Sequence, residues 1–198
     1  MKKCFFGGLC LMILFSGSAF AGDKMTITFK DGRTQSIDIN TILKIEYQAL
    51  PRSSTSQITG DRFYRIVSRD SNKCVDVEGV ETHNGVNVSQ YDCHGGKNQQ
   101  WKLIPRGQDY YMVVAAHSNK CLDVGAVGTH DGANIQQWDC HGGDNQLWKI
   151  VPTNSGYSLV VAKHSNKCMD VAAAGKHNGA NIQQWNCHHG SNQQWKIE

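Results

Sequence analysis

The chain has 198 residues, with 20 Lys and Arg against 17 Asp and Glu and a formal charge of +3. That balance argues against nucleic acid or anionic membrane as the main partner, because both select clustered positive charge. Beyond the N-terminal run, no apolar stretch is long enough to span a bilayer.

Residues 1–21 read as an export signal. Met1-Lys2-Lys3 is a short basic start, CFFGGLCLMILF is an apolar run too short for a comfortable membrane span, and Ala19-Phe20-Ala21 is a small-residue cleavage pattern. An uncleaved anchor is the competing reading, and the short apolar run and A-x-A end favour cleavage. The mature chain is then expected to start at Gly22, in the periplasm, at the cell surface or in the medium of a bacterium. Losing Lys2 and Lys3 brings the charge to about +1, which leaves the charge argument intact. Cys4 and Cys10 leave as well, and six cysteines remain, an even number that suggests disulfides in an exported chain.

Residues 22–48 form a small β segment. Met25, Ile27 and Phe29 alternate with polar residues, and Ile37 and Ile39 share their parity. A hairpin turning at Lys30-Asp31-Gly32, with Gly32 left-handed, puts all five on one face. A third short strand is expected at Leu43–Tyr47. So few residues cannot bury enough apolar surface alone, so the segment should dock on another body: the following domain, a second copy or a partner protein. Residues 49–60, including PRSSTSQITG, read as a linker.

From residue 61 the chain repeats with a period of 47. SNKCVDV, SNKCLDV and SNKCMDV begin at Ser71, Ser118 and Ser165. HNG, HDG and HNG begin at His83, His130 and His177. SQYDC, QQWDC and QQWNC end at Cys93, Cys140 and Cys187. NQQWKLI, NQLWKIV and NQQWKI begin at Asn98, Asn145 and Asn192. Each copy reads as four short strands, in copy one near Phe63–Ser68, Lys73–Val77, Asn87–Asp92 and Gln100–Ile104. Twelve such strands imply an all-β, barrel-like domain, and three copies related by rotation would close it without an open edge.

Threefold repetition favours the pairings Cys74–Cys93, Cys121–Cys140 and Cys168–Cys187, although a cyclic pairing between copies is equally symmetric. The turn supports the first version. With Cys74 opposite Cys93, the hairpin centres beside His83-Asn84-Gly85, a turn tripeptide. That register places Asp76 opposite Tyr91, Asp123 opposite Trp138 and Asp170 opposite Trp185. Val75 and Val77 then point to the core, and each Asp lies on the disulfide side. A carboxylate accepts from two sugar hydroxyls, a ring stacks on the C–H face of a pyranose, and Asn98, Asn145 and Asn192 could supply an amide.

Three Q-x-W motifs (Gln99–Trp101, Gln146–Trp148, Gln193–Trp195), each following C-x-D-V and a second cysteine, carry a family resemblance. In motif, spacing and threefold order, residues 61–198 resemble the ricin-type β-trefoil lectins and related carbohydrate-binding modules. The resemblance implies a β-trefoil whose Q-x-W tryptophans are core residues and whose Gln helps hold the pocket Asp. By position it assigns Asp123, Gln136, Trp138, Asn145 and Gln146 to the copy-two site, and Asp170, Gln183, Trp185, Asn192 and Gln193 to the copy-three site. Copy one has Asp76, Ser89, Tyr91, Asn98 and Gln99, departing at Ser89 and Tyr91, so a different pocket is expected there. His188-His189 of copy three replaces His94-Gly95 and should crowd or extend its rim.

Other chemistries fit less well. The nine histidines lack the paired spacing of a zinc site, and oxidised cysteines offer no thiolate, so no metal or cofactor is expected. No nucleophile motif or acid–base carboxylate pair stands out. The expected function is a non-catalytic lectin with up to three shallow sites for galactose-type or xylan-type glycans. The alternatives are the binding subunit of a separately encoded toxin or secreted hydrolase, docked through residues 22–48, and a trefoil protease inhibitor.

Overall fold

In a computed structural model of the chain, residues 24–28, 32–38, 58 and 60–198 are described. The expected export signal, the third strand at 43–47 and nearly all of the linker lie outside these residues. The chain divides into two units, Met1–Ser54 and Thr55–Glu198.

In the first unit β1 (Lys24–Thr28) pairs antiparallel with β2 (Thr34–Asp38), matching Met25 to Ile37 and Thr28 to Thr34. Gly32, shortly before β2, has φ 83°, a value that costs a residue with a Cβ but not glycine.

The second unit is a β-trefoil. Repeat one contributes β3 (Phe63–Tyr64), β4 (Ile66–Ser68), β5 (Cys74–Val77), β6 (Val88–Tyr91) and β7 (Trp101–Pro105). Repeat two contributes β8 (Tyr110–Ala115), β9 (Cys121–Val124), β10 (Ile135–Trp138) and β11 (Leu147–Pro152). Repeat three contributes β12 (Ser158–Ala162), β13 (Cys168–Val171), β14 (Ala180–Trp185) and β15 (Trp195–Ile197). The first expected strand of repeat one is two short strands with different partners: β3 pairs with β7, whereas β4, with Arg65 before it bonded to Glu198, pairs with β15.

Closure follows from one rule applied three times. The last strand of each repeat pairs with the first of the next: β7 with β8, β11 with β12, and β15 with β4. The final pairing brings the chain's last strand back to its first repeat and satisfies backbone groups that an open sheet would leave unpaired. The middle strands form three hairpins, β5–β6, β9–β10 and β13–β14.

The Q-x-W tryptophans fill the core. Trp101, Trp148 and Trp195 are fully buried, and their indole N–H groups donate to the carbonyls of Val75, Leu122 and Met169. Val75 and Val77 join them in the main cluster, each burial worth roughly 1.5–3 kcal/mol relative to exposure. The disulfides are Cys74–Cys93, Cys121–Cys140 and Cys168–Cys187.

The hairpin register differs from expectation by two residues. Cys74 lies opposite Tyr91 and Asp76 opposite Ser89; Asp123 faces Gln136, and Asp170 faces Gln183. The cause is the disulfide. Cys93 lies beyond the end of β6, and the chain curls back to reach Cys74 across a Cα separation of 5.1 Å. A shift of two keeps every side chain on its expected face, because the strand period is two.

The repeats are locked to one another by polar side chains. Gln90, Gln137 and Gln184 are buried, and each amide donates to two carbonyls of a neighbouring repeat's turn. The SNK segments that begin each hairpin also take part. Ser71, Ser118 and Ser165 donate to those same glutamines, and Lys73 and Lys120 pair with Asp92 and Asp139. A third clamp uses the turn tripeptides: Asn178 Nδ2 donates to Asp92 Oδ2 at 2.8 Å and Asn84 Nδ2 to Asp139 Oδ2 at 2.7 Å. Asp131 accepts instead, from Lys167 at 2.6 Å and the Asn186 amide at 2.9 Å.

Candidate functional site

Each hairpin raises an aspartate from the floor of a cleft. Asp76, Asp123 and Asp170 are only 3–4% exposed, and a buried carboxylate must be hydrogen-bonded to persist. Donors come from a short 3₁₀ turn that precedes the last strand of each repeat, where Asn98, Asn145 and Asn192 sit rather than in the strand itself. Asn98 and Gln99 donate to Asp76 Oδ2 at 2.9 and 2.8 Å. Asn145 and Gln146 reach Asp123 Oδ2 at 2.8 and 3.0 Å. Asn192 and Gln193 reach Asp170 Oδ2 at 2.8 and 3.0 Å. The three glutamines are completely buried, so they support the acid from behind and do not face solvent.

The second carboxylate oxygen separates the repeats. Gln136 Nε2 donates to Asp123 Oδ1 at 3.1 Å and Gln183 Nε2 to Asp170 Oδ1 at 3.2 Å. Repeat one has Ser89 here, and the Ser89 hydroxyl is buried without a hydrogen-bond partner among the described residues. Burial holds the Asp76 carboxyl above its ordinary value, opposed by its bonds to Gln99, His94 and Asn98.

The aromatic wall is open. Tyr91, Trp138 and Trp185 are 40–45% exposed, far more than large rings with only a packing role. Each stands two residues beyond the position opposite the aspartate and on the same face, a diagonal neighbour within reach of a shared ligand. The turn glycine of the preceding repeat passes beneath the ring: Gly85 under Trp138 and Gly132 under Trp185, where an added Cβ would lie 3.6 and 3.7 Å from the indole. Each cleft is therefore built by two repeats. In repeat one the cavity is about 380 Å³ and is lined by Asp76, Tyr91, His94 and, from repeat three, Gly179, a size within the usual range for small-ligand pockets.

His94, His141 and His188 complete the rim. Sequence reasoning left them without a role, although their place in each copy marked them. Their Nδ1 atoms accept the amide N–H of Gly96, Gly143 and Gly190 at 3.1 Å. In the neutral ring this leaves the proton on Nε2, which stands 3.4–3.6 Å from the aspartate Oδ2. These glycines are needed for close approach, since an added Cβ would meet the imidazole at 2.6–2.8 Å. His189, by contrast, is exposed and holds a left-handed φ of 61°, where repeats one and two have Gly95 and Gly142. It occupies this position at a cost in backbone strain.

A carboxylate with fixed donors, an open ring and a rim imidazole can orient a polar ring-shaped ligand. Residues 62–195 match the family model described as "Ricin-type beta-trefoil lectin domain". The chain belongs to the ricin-type β-trefoil lectin family. Within it, the domain is a carbohydrate-binding module, usually non-catalytic.

Solved structures give the same fold. The designed threefold-symmetric protein ThreeFoil is 47% identical with a TM-score of 0.68, over 70% of this chain and 98% of its own. The exo-β-1,3-galactanase 1,3Gal43A of Clostridium thermocellum is 28% identical with a TM-score of 0.67, over 88% of this chain but 37% of its own. The Macrolepiota procera ricin B-like lectin, solved with lactose, is 21% identical with a TM-score of 0.63 and shares the fold over 72% of this chain and 99% of its own. No curated protein sequence matches the chain.

Proposed function

We propose that the chain is an exported, non-catalytic lectin with three shallow sugar sites, one per repeat. The observation that carries this reading is the threefold recurrence of a buried, donor-held aspartate diagonal to an exposed ring. A pyranose stacks its C–H face on the ring and donates two hydroxyls to the carboxylate, while the rim histidine donates from Nε2. Sites one, two and three comprise Asp76, Tyr91 and His94; Asp123, Trp138 and His141; and Asp170, Trp185 and His188. The paired Asn and Gln residues hold each acid in place. Gln136 and Gln183 steer the free oxygen in the second and third sites.

Galactose-type ligands are favoured over xylan, because the Macrolepiota procera lectin binds lactose and the Clostridium thermocellum enzyme is a galactanase. The domain limits proposed are a signal at 1–21, a β segment at 22–48, a linker at 49–60 and the lectin domain at 61–198. Three disulfides suit an oxidising compartment, and no described helix is long and apolar enough to cross a membrane.

The galactanase and a mosquitocidal holotoxin each match this fold over a fraction of their own length. They favour a second reading, a targeting subunit that docks a separate effector through residues 22–48. A glycan array on the purified chain tests the first reading. Galactosides should bind, and Trp138→Ala with Trp185→Ala should abolish most of that signal; an unchanged array would refute the site assignment. Co-purification of a partner that is lost on deleting 22–48 would establish the second.

A further inference from the structure

Among the positions that line its cavity, repeat one departs from its sisters in charge and hydrogen-bonding capacity at two. It has Glu78 where repeats two and three have Gly125 and Ala172, and Ser89 where they have Gln136 and Gln183.

The exchange reverses the local hydrogen-bonding inventory. In repeats two and three a glutamine amide donates to the free aspartate oxygen. In repeat one that donor is missing, and Asp76 Oδ1 has no protein donor among the described residues. The Ser89 hydroxyl, in a side chain 1% exposed, also has no partner. Glu78 adds a second carboxylate, held by Asn87 Nδ2 on Oε1 at 2.9 Å. Neither lysine nor arginine lines the cavity. Repeat one therefore presents acceptors and two acidic groups where its sisters present one acid whose second oxygen already accepts from an amide donor.

We propose that repeat one is selective for an amino sugar with a free ammonium group, a hexosamine rather than a neutral or N-acetylated hexose. The proposal rests on the lectin reading of the fold. The pyranose stacks on Tyr91, and the ammonium sits between Asp76 and Glu78. An ammonium brings three donors and no acceptor, which suits Asp76 Oδ1, Ser89 Oγ and the open Glu78 oxygen. A hydroxyl brings one donor, and an acetamide removes the charge. Repeats two and three, with one carboxylate each, keep a preference for neutral sugars.

The test is an amide-resolved NMR titration of the full chain with galactosamine, glucosamine, their N-acetyl forms and lactose, at a mildly acidic pH that protonates the amines. The free hexosamines should shift the amides of Gly79, Ser89 and Tyr91 with a dissociation constant about tenfold below that of the N-acetyl forms, the scale of one charge-assisted hydrogen bond. Glu78→Gln should erase this preference, and Glu78→Gly, which copies repeat two, should do the same. Added salt should weaken hexosamine binding and spare lactose. Equal affinity for the free and acetylated forms, equal shifts in all three repeats, or an unchanged preference in Glu78→Gln would each overturn the proposal. Lactose shifts at Trp138 and Trp185 report separately on the general lectin reading. If lactose shifts nothing while hexosamines bind repeat one through Glu78, the neutral-sugar assignment of repeats two and three fails and this one stands.

Discussion

Asp123 and Trp138 are diagonal neighbours across one hairpin: Asp123 lies opposite Gln136, and Trp138 lies opposite Cys121. The acid is buried and the ring is open. This division makes the two residues separable by mutation.

Trp138→Ala should remove sugar binding at repeat two with a stability loss of about 1 kcal/mol, because the residue is 40% exposed and lies outside the main core cluster. Asp123→Ala removes the same binding but strands the donors of Asn145, Gln146 and Gln136. It should cost about 2–4 kcal/mol. Calorimetry with lactose, beside denaturant unfolding of each variant, distinguishes the two outcomes.

Gly143→Ala should act at a distance from the sugar. Its φ of −65° is permitted to alanine, so backbone strain is not the mechanism. The new Cβ would stand 2.8 Å from the His141 ring and displace it from Asp123. Binding at repeat two should weaken about tenfold, the loss of one hydrogen bond, while the melting temperature changes little. A large stability loss with unchanged affinity would refute the rim role.

His189→Gly should stabilise the protein. Repeats one and two use glycine at this left-handed position, and relieving a non-glycine residue there is worth about 1 kcal/mol. The melting temperature should rise by a few degrees for a domain of this size. If binding at repeat three is unchanged, His189 is a rim residue without contact to the sugar.

Acid should switch off repeat one before it unfolds the protein. Burial raises the Asp76 carboxyl above 3.8, so it takes up a proton at a higher pH than an exposed aspartate. For a raised acid the folded state gains stability as pH falls through that value, so protonating Asp76 does not itself promote unfolding. Asp92, Asp131 and Asp139 behave oppositely. Lys73, Lys167 and Lys120 hold them below 3.8, so their clamps between repeats persist above 3.8 and fail only as pH drops through their lowered values. Sugar-induced shifts at Tyr91 should therefore vanish at a pH where the circular dichroism is still native.

Much of this protein was legible because it says the same thing three times. SNKC, HNG and Q-x-W at a constant spacing located the strands, the disulfides and the aspartates, since a threefold structure tolerates few pairings of repeated residues. The hairpin at Met25–Ile37 was legible from alternation alone. The expected register differs from the observed one by two because it treats the disulfide as a direct cross-strand pair. In the structure Cys93 follows the end of the strand and reaches back. The period-two pattern is blind to such a shift, since it moves no side chain to the other face.

The sequence by itself determined the repeat, the trefoil, the core tryptophans and the acid and ring of each candidate site. These depend on patterns local to one repeat or copied between repeats. Only the tertiary structure decided what surrounds them: the histidine aimed at each acid, the glycine contributed by the neighbouring repeat, and the unpartnered Ser89 beside Glu78 in repeat one. Each is a contact between segments that the closed barrel brings together, and its geometry depends on distances that residue spacing does not encode.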